Sequence, residues 1–314
     1  MQKPIFILGI PRSGSTFWAK ILSASDELAF INEMKFFWPW YTDFRDFCRS
    51  KIGDLKRDEN VLKLINLLLS DKYFPGINSG FWRQLKDLKF KNPSIKRDLY
   101  EAIIKSDRSF ESIFKSLIEI YTRYVNKKRC FVKFPMYFNY IPKLIELYPE
   151  CKIIHITRDP RAIAISKTRD PGGTAKIIKR YPRFAYFIKK SMIYFAVTQY
   201  IWSAKIHSKY KNLKNYTLFR YEDLLVNPEK VINKLCEFCE IRPNRKMFYP
   251  SEGQPSSITG KKIKGFDKEA AIRWQKIISP FDKKLITFLT KKSMKKLGYD
   301  PDNHPIFQIA TGGK

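Results

Sequence analysis

PIFILGIPRSGSTFWAK, residues 4–20, decides how the rest of the chain is read. A short uncharged apolar run, Pro4 to Leu8, ends at Gly9, and a tight loop then enters a helical pattern beginning near Ser15. Strand, loop and helix in that order make a phosphate cradle, because backbone N–H groups at a helix N-terminus face one anionic group. Against the nucleotide-binding pattern G-x-x-x-x-G-K-[ST], Gly9, Gly14 and Thr16 fall in register, but Ser15 stands where the lysine belongs. That lysine spans the β- and γ-phosphates while the next hydroxyl holds Mg²⁺, so its replacement argues against a nucleoside triphosphate bound through metal. The positive charge sits earlier, on Arg12, and the hydroxyls of Ser13, Ser15 and Thr16 add donors to the backbone amides.

Length and composition set the frame. With 314 residues, 44% of them hydrophobic, the chain can bury a large core as one big α/β domain or one domain with a sizeable insertion. The formal charge of +30 comes from 60 basic residues spread along the chain. Such a surface favours anionic partners without choosing among nucleic acid, phospholipid, acidic glycan and nucleotide, and a lysine-rich proteome gives the same composition. Five scattered cysteines fit a reducing compartment. Cys236 and Cys239 lie one helical turn apart with no second pair or neighbouring histidine, so they read as buried helix-face residues. The strand beginning at residue 4 leaves no room for a signal peptide, and the apolar run Met192 to Ala204 is too short to span a bilayer. The expectation is a soluble cytoplasmic protein.

The run P-R-S-G-S-T, residues 11–16, resembles the 5′-phosphosulfate loop of the sulfotransferases that use 3′-phosphoadenosine 5′-phosphosulfate (PAPS). The likeness is greatest to the branch containing tyrosylprotein and many bacterial sulfotransferases. It implies an α/β, P-loop-type three-layer fold with a central parallel sheet, formed by a single domain over residues 1–314. It also implies PAPS as co-substrate without a metal, with Arg12, Ser13, Gly14, Ser15 and Thr16 on the 5′-phosphosulfate.

Further along, LAFI (Leu28 to Ile31) is strand-like and reaches Glu33. Its distance from Arg12 resembles that between the loop arginine and the catalytic glutamate of tyrosylprotein sulfotransferases, which would make Glu33 the general base; the alternative is a solvent-facing carboxylate between elements. Residues 36–128 depart from strand–helix alternation. Aromatics crowd the start (Phe36, Phe37, Trp38, Trp40, Tyr41), and helical periodicity follows near Val61 to Leu69, Leu99 to Lys105 and from Ser109 to Val125. This helix-rich insertion is expected to cover the acceptor site.

CFVKFP, from Cys130, reads as a buried strand carrying Lys133, which resembles the lysine that reaches the transferring sulfate. A charge inside an apolar strand is costly unless something anionic meets it. The helix Ile141 to Tyr148 leads to the strand KIIHIT, Lys152 to Thr157, whose His155 reads as packed. Arg158 and Ser166 match the family's 3′-phosphate element. Asp159 could instead be a metal carboxylate, but Arg158 and Arg161 flank it and would repel a cation. A long amphipathic helix, about Phe184 to Tyr210, is expected on the sheet. After the strand Tyr216 to Arg220, the resemblance gives Tyr221 a place beside the nucleotide, with Glu222 and Asp223 tying down the turn. Asn227-Pro228-Glu229 reads as a capped helix start. The loop Gln254 to Gly265, with Ser257 and Lys261, matches a segment that folds over the cofactor; it also reads as a disordered basic loop. Ser279 caps a last helix that Gly298 stops.

The reading is therefore sulfuryl transfer from PAPS to a hydroxyl or amine, with Arg12, Glu33 and Lys133 catalytic. The acceptor (carbohydrate, lipid, peptide or small alcohol) stays open. Alternatives are a P-loop small-molecule kinase and a non-enzymatic basic protein on nucleic acid or membrane. No specific nucleic acid partner is expected, and peripheral contact with anionic surfaces is.

Overall fold

The computed structural model describes residues 3–34, 36, 46, 48–70, 80–250 and 265–302. Strand β1 (Ile5–Gly9) is buried at every position, as its uncharged sequence requires of a central parallel strand. It stands third in a five-stranded parallel sheet, with β2 (Leu28–Ile31), β3 (Arg129–Pro135), β4 (Lys152–Thr157) and β5 (Tyr216–Arg220) in the order β2-β3-β1-β4-β5. The expected α/β class with a central parallel sheet is thus observed. After β1 comes helix α1 (Ser15–Ser23). The chain divides into two compact units, residues 1–6 with 26–152, and residues 7–25 with 153–314.

In the first unit β2 pairs with β3 so that Leu28 faces Arg129 and Ile31 faces Val132, and Phe30 stacks on Phe131 with ring centres 4.9 Å apart. Between these strands run α2 (Asp58–Leu68), α3 (Gly80–Lys91), α4 (Ile95–Ile104) and α5 (Phe110–Tyr124). The periodicities read from the sequence account for α2, α4 and α5. Ser109 caps α5 by accepting a hydrogen bond from the Ser112 amide. Helix α3 was not anticipated, because its lysines mask a short apolar series, Phe81, Trp82, Leu85 and Leu88. Its Gln84 covers the edge of β2, accepting from the Asn32 amide and donating to the Phe30 carbonyl. Of the aromatics crowding residues 36–41, Phe36 is core, 5.6 Å from the Phe114 ring; Phe37, Trp38, Trp40 and Tyr41 lie outside the described residues. Helix α6 (Ile141–Leu147) follows β3.

In the second unit, α7 (Pro160–Thr168), α8 (Thr174–Arg180) and α9 (Ala185–Tyr210) follow β4. After β5 come α10 (Tyr221–Val226), α11 (Pro228–Cys239) and α12 (Pro280–Lys296). The long helix expected on the sheet meets it along its second half: Ser203 bonds His155 of β4, and His207 and Tyr210 meet Tyr216 of β5. Helix α9 also packs against α7 and α12, and its outward side carries exposed aromatics. Asn227 precedes α11 but makes no side-chain cap, so Pro228 alone sets that start. Cys236 and Cys239 are buried, as helix-face residues should be. Among the described residues no helix is long and apolar enough to cross a membrane.

His155 is packed, as expected: one ring nitrogen lies 2.6 Å from the Tyr216 hydroxyl and the other 2.7 Å from Ser203 Oγ. Burial, with a smaller contribution from His207, pushes its pKa down to about 3. The unfolded chain takes up a proton near pH 6.5 and the folded chain does not, so the stability is present above pH 6.5 and is lost as pH falls toward 3. Unfolding titrations between pH 6 and 4 should show a loss of about 1.4 kcal/mol per pH unit from this group. His155→Gln should flatten that slope; an unchanged slope would assign the acid sensitivity elsewhere.

Candidate nucleotide site

The turn from β1 into α1 is built on two left-handed residues, Arg12 (φ 76°) and Gly14 (φ 93°). Gly14 needs to be glycine twice over. Its φ disfavours any side chain, and a Cβ there would lie 2.3 Å from Cδ2 of Tyr221. Arg12 holds the same region with a side chain, at a cost of roughly 1 kcal/mol, a strain typical of ligand-gripping turns. The Ser13 amide donates to the Ile10 carbonyl, closing the turn. Ser13 is fully buried and its Oγ has no hydrogen-bond partner, while Ser15 is buried and Thr16 exposed. A buried hydroxyl without a partner is costly, so the loop is shaped for a group that supplies one.

Arg12 Nε donates to Ser166 Oγ at 2.9 Å, and its Nη1 lies 3.5 Å from Asp170 Oδ1. Burial lowers the Arg12 pKa, Asp170 opposes this, and the field of Arg158 lowers it further. Arg158 extends from the end of β4. Its Nη2 donates to the Ala270 carbonyl at 2.7 Å, its guanidinium lies 4.6 Å from the Tyr221 ring centre, and its buried Nε has no partner. Lys167, one residue past Ser166, is also buried. It donates to Gln199 Oε1, and burial together with Arg12 pushes its pKa down to about 8 against the pull of Asp170. Arg12 thus lies in the field of Arg158, and Lys167 in that of Arg12, with the Asp170 carboxylate offsetting part of each. A doubly anionic ligand would relieve that repulsion.

The residues expected on the nucleotide, Arg12, Ser13, Gly14, Ser15, Thr16, Arg158, Ser166 and Tyr221, all belong to this one unit. Tyr221 forms a wall with Phe17, whose ring is also 5.6 Å from Phe266. Sequence reading missed Lys167, Asp170, Phe17 and Phe266. Lys167 and Asp170 directly follow the recognised Ser166, but nothing in their residue types separated them from a lysine-rich surface. Ser257 and Lys261 lie outside the described residues.

Behind the site, two carboxylates fix the strand end. Asp159 is fully buried, and Arg161 grips both its oxygens, at 3.0 Å from Nε and 2.7 Å from Nη2, besides donating its amide. With both oxygens engaged, Asp159 is no open metal ligand. Glu222, also fully buried, accepts from the Asp159 amide and from the Tyr299 hydroxyl, and burial raises its pKa. Asp223 pairs with Arg220 at 2.7 Å. Both acids of the Y-E-D segment thus tie down the turn.

In the other unit, Glu33 and Lys133 form an ion pair at 2.8 Å, with the Lys133 side chain only 7% exposed and that of Glu33 38%. Glu33 lies just beyond β2, and Lys133 lies on β3 one residue past the partner of Ile31. The buried lysine thus meets its anion.

Gly14→Ala should lower unfolding stability by about 1–3 kcal/mol through strain and the clash with Tyr221. Gly172→Ala, where a Cβ meets nothing within 4 Å, should change it by less than about 0.5 kcal/mol. Equal effects in chemical unfolding would contradict the packed turn.

Comparison with known proteins bears on the family and the fold. A 283-residue stretch is 22% identical to an uncharacterised protein of Aquifex aeolicus, covering 88% of this chain and 31% of that protein, so the chain spans about a third of that relative. Two solved sulfotransferase domains share the fold. One, from the Synechococcus PCC 7002 olefin synthase, has a TM-score of 0.59 and 20% identity, with 95% of each chain covered. The other, from the curacin biosynthetic pathway, has a TM-score of 0.57 and 19% identity, covering 96% of this chain and 99% of that one. The sulfotransferase family model matches residues 4–244, from the first strand through the turn, the cationic cluster and the Y-E-D segment, and on that match the chain belongs to the sulfotransferase family.

Proposed function

We propose that this chain transfers a sulfuryl group from PAPS to an acceptor hydroxyl, or less readily an amine. The carrying observation is the convergence of Arg12 and Arg158, with the field of Arg158 falling on Arg12, beside two buried polar atoms without partners, Ser13 Oγ and Arg158 Nε. Those atoms suit a ligand with two separated anionic ends. The turn 12–16 would hold the 5′-phosphosulfate, and Arg158 and Ser166 the 3′-phosphate.

Sulfuryl transfer asks the protein for alignment and for neutralisation of charge on the leaving oxygen. In this reading Glu33 takes the acceptor proton as the acceptor oxygen bonds to sulfur. Arg12 and Lys133 offset the negative charge left on the 5′-phosphate oxygen when its bond to sulfur breaks, and adenosine 3′,5′-bisphosphate departs. Arg12 keeps its proton throughout and acts as an electrostatic clamp. The ion pair with Lys133 supports Glu33 in this role by holding the carboxylate at the end of β2. The helices of the 36–128 insertion would cover the acceptor, which could be a carbohydrate, lipid, peptide or small alcohol. Five scattered, buried cysteines fit a reducing compartment, and the reading places the reaction in the cytoplasm.

Incubation with isotopically labelled PAPS and a cell extract should transfer label to an acceptor. Arg12→Ala should reduce that transfer by about 10² or more. Glu33→Gln should reduce it by about 10² or more while leaving adenosine 3′,5′-bisphosphate binding intact. Transfer of phosphate from ATP with Mg²⁺, and none of sulfate from PAPS, would replace this reading with a kinase.

A further inference from the structure

The unit holding residues 153–314 also carries a surface apart from the residues assigned to the donor. Fourteen large apolar side chains are exposed among the described residues; seven of them lie from Ile177 to Phe195 and three more in α12. Singly exposed apolar side chains are ordinary, but a contiguous group marks an interaction site. Lys190 shows that this group is contiguous. Its Nζ lies 5.4 Å from the Tyr186 ring centre on α9 and 5.2 Å from the Phe281 ring centre on α12, and it pairs with Asp282 at 2.5 Å. The Tyr186 ring meets Phe187 edge-on at 5.6 Å. Seven residues on from Phe187, Tyr194 lies on the same side of α9, and Phe288 stands in the same relation to Phe281 on α12; all four are exposed.

The charge around these rings is one-sided. Residues 171–221 contain eleven Lys or Arg and no Asp or Glu, in a chain with one acidic residue for every two basic ones. Helix α12 has six lysines and a single acid, Asp282, which Lys190 already engages.

We propose that this face, centred on Tyr186, Phe187 and Phe281 with Arg183 and Lys189 around them, seats on a bilayer surface rich in anionic phospholipid. Aromatic rings interleaved with cations suit the headgroup boundary, where rings enter the apolar layer and cations meet phosphate. Nucleic acid also stacks on aromatic rings, but it does not reward burying them in an apolar layer, whereas the unit also exposes the aliphatic Ile177 and Leu289. A second copy of the chain would bring like charge against like charge. The inference does not depend on the sulfuryl-transfer reading.

The test is flotation of the full chain with vesicles. It should float with vesicles of phosphatidylcholine containing about a third phosphatidylglycerol, stay behind with pure phosphatidylcholine, and be released as salt rises toward about 0.5 M. Phe187→Ser with Phe281→Ser should cut vesicle binding about tenfold or more, and so should Arg183→Glu with Lys189→Glu. Both variants should bind adenosine 3′,5′-bisphosphate as the unmodified chain does, which shows they are folded and separates this result from the fate of the donor site. Vesicle binding unaffected by both double variants would overturn the proposal, as would equal binding to neutral vesicles. Single-stranded RNA held tightly by this same face, with no vesicle binding, would also overturn it.

Discussion

Like charges brought together without enough counter-charge are the constraint on which this structure depends. The field of Arg158, at the end of β4, lowers the proton affinity of Arg12 in the first turn, and Arg12 in turn lowers that of Lys167 on α7, with Asp170 as the opposing carboxylate. Proteins do not collect partly buried cations for stability, because each must shed water and none attracts the others. Such a cluster persists when the surrounding elements are rigid and when an anion relieves it during function.

The rigidity is visible in the second layer. Asp159 and Glu222 are both fully buried, and each is satisfied: Asp159 by the Arg161 fork, Glu222 by the Asp159 amide and the Tyr299 hydroxyl. Together they bind the N-terminus of α7 to the start of α10. These two helices carry Ser166 and Tyr221, so the polar hub sets the positions of groups that face the ligand. At the other end, the clash that any side chain at position 14 would meet keeps the turn against Tyr221.

Much of this was legible in the sequence because it is local. An uncharged run followed by Gly9, Arg12 and Gly14 can do little except end a strand and open a helix, and the structure places those elements within a residue of the reading. Ser279 capping α12 and His155 packed neutral in β4 were equally local inferences. What escaped depends on distant partners. Lys167 and Asp170 gain meaning only because Arg12, more than 150 residues earlier, folds beside them. The pairing of Glu33 with Lys133 needs the register of β2 on β3. Helix α3 was hidden by its lysines, and the outward aromatics of α9 broke the amphipathic pattern that the reading assumed.

The central claim is that two separate grips hold the two anionic ends of one adenine nucleotide. Calorimetry comparing adenosine 3′,5′-bisphosphate with adenosine 5′-monophosphate tests it most directly. The account expects the 3′-phosphate to tighten binding by about 10² or more, and Arg158→Ala to erase most of that difference. Equal affinity for the two nucleotides, or an unchanged preference in Arg158→Ala, would contradict it.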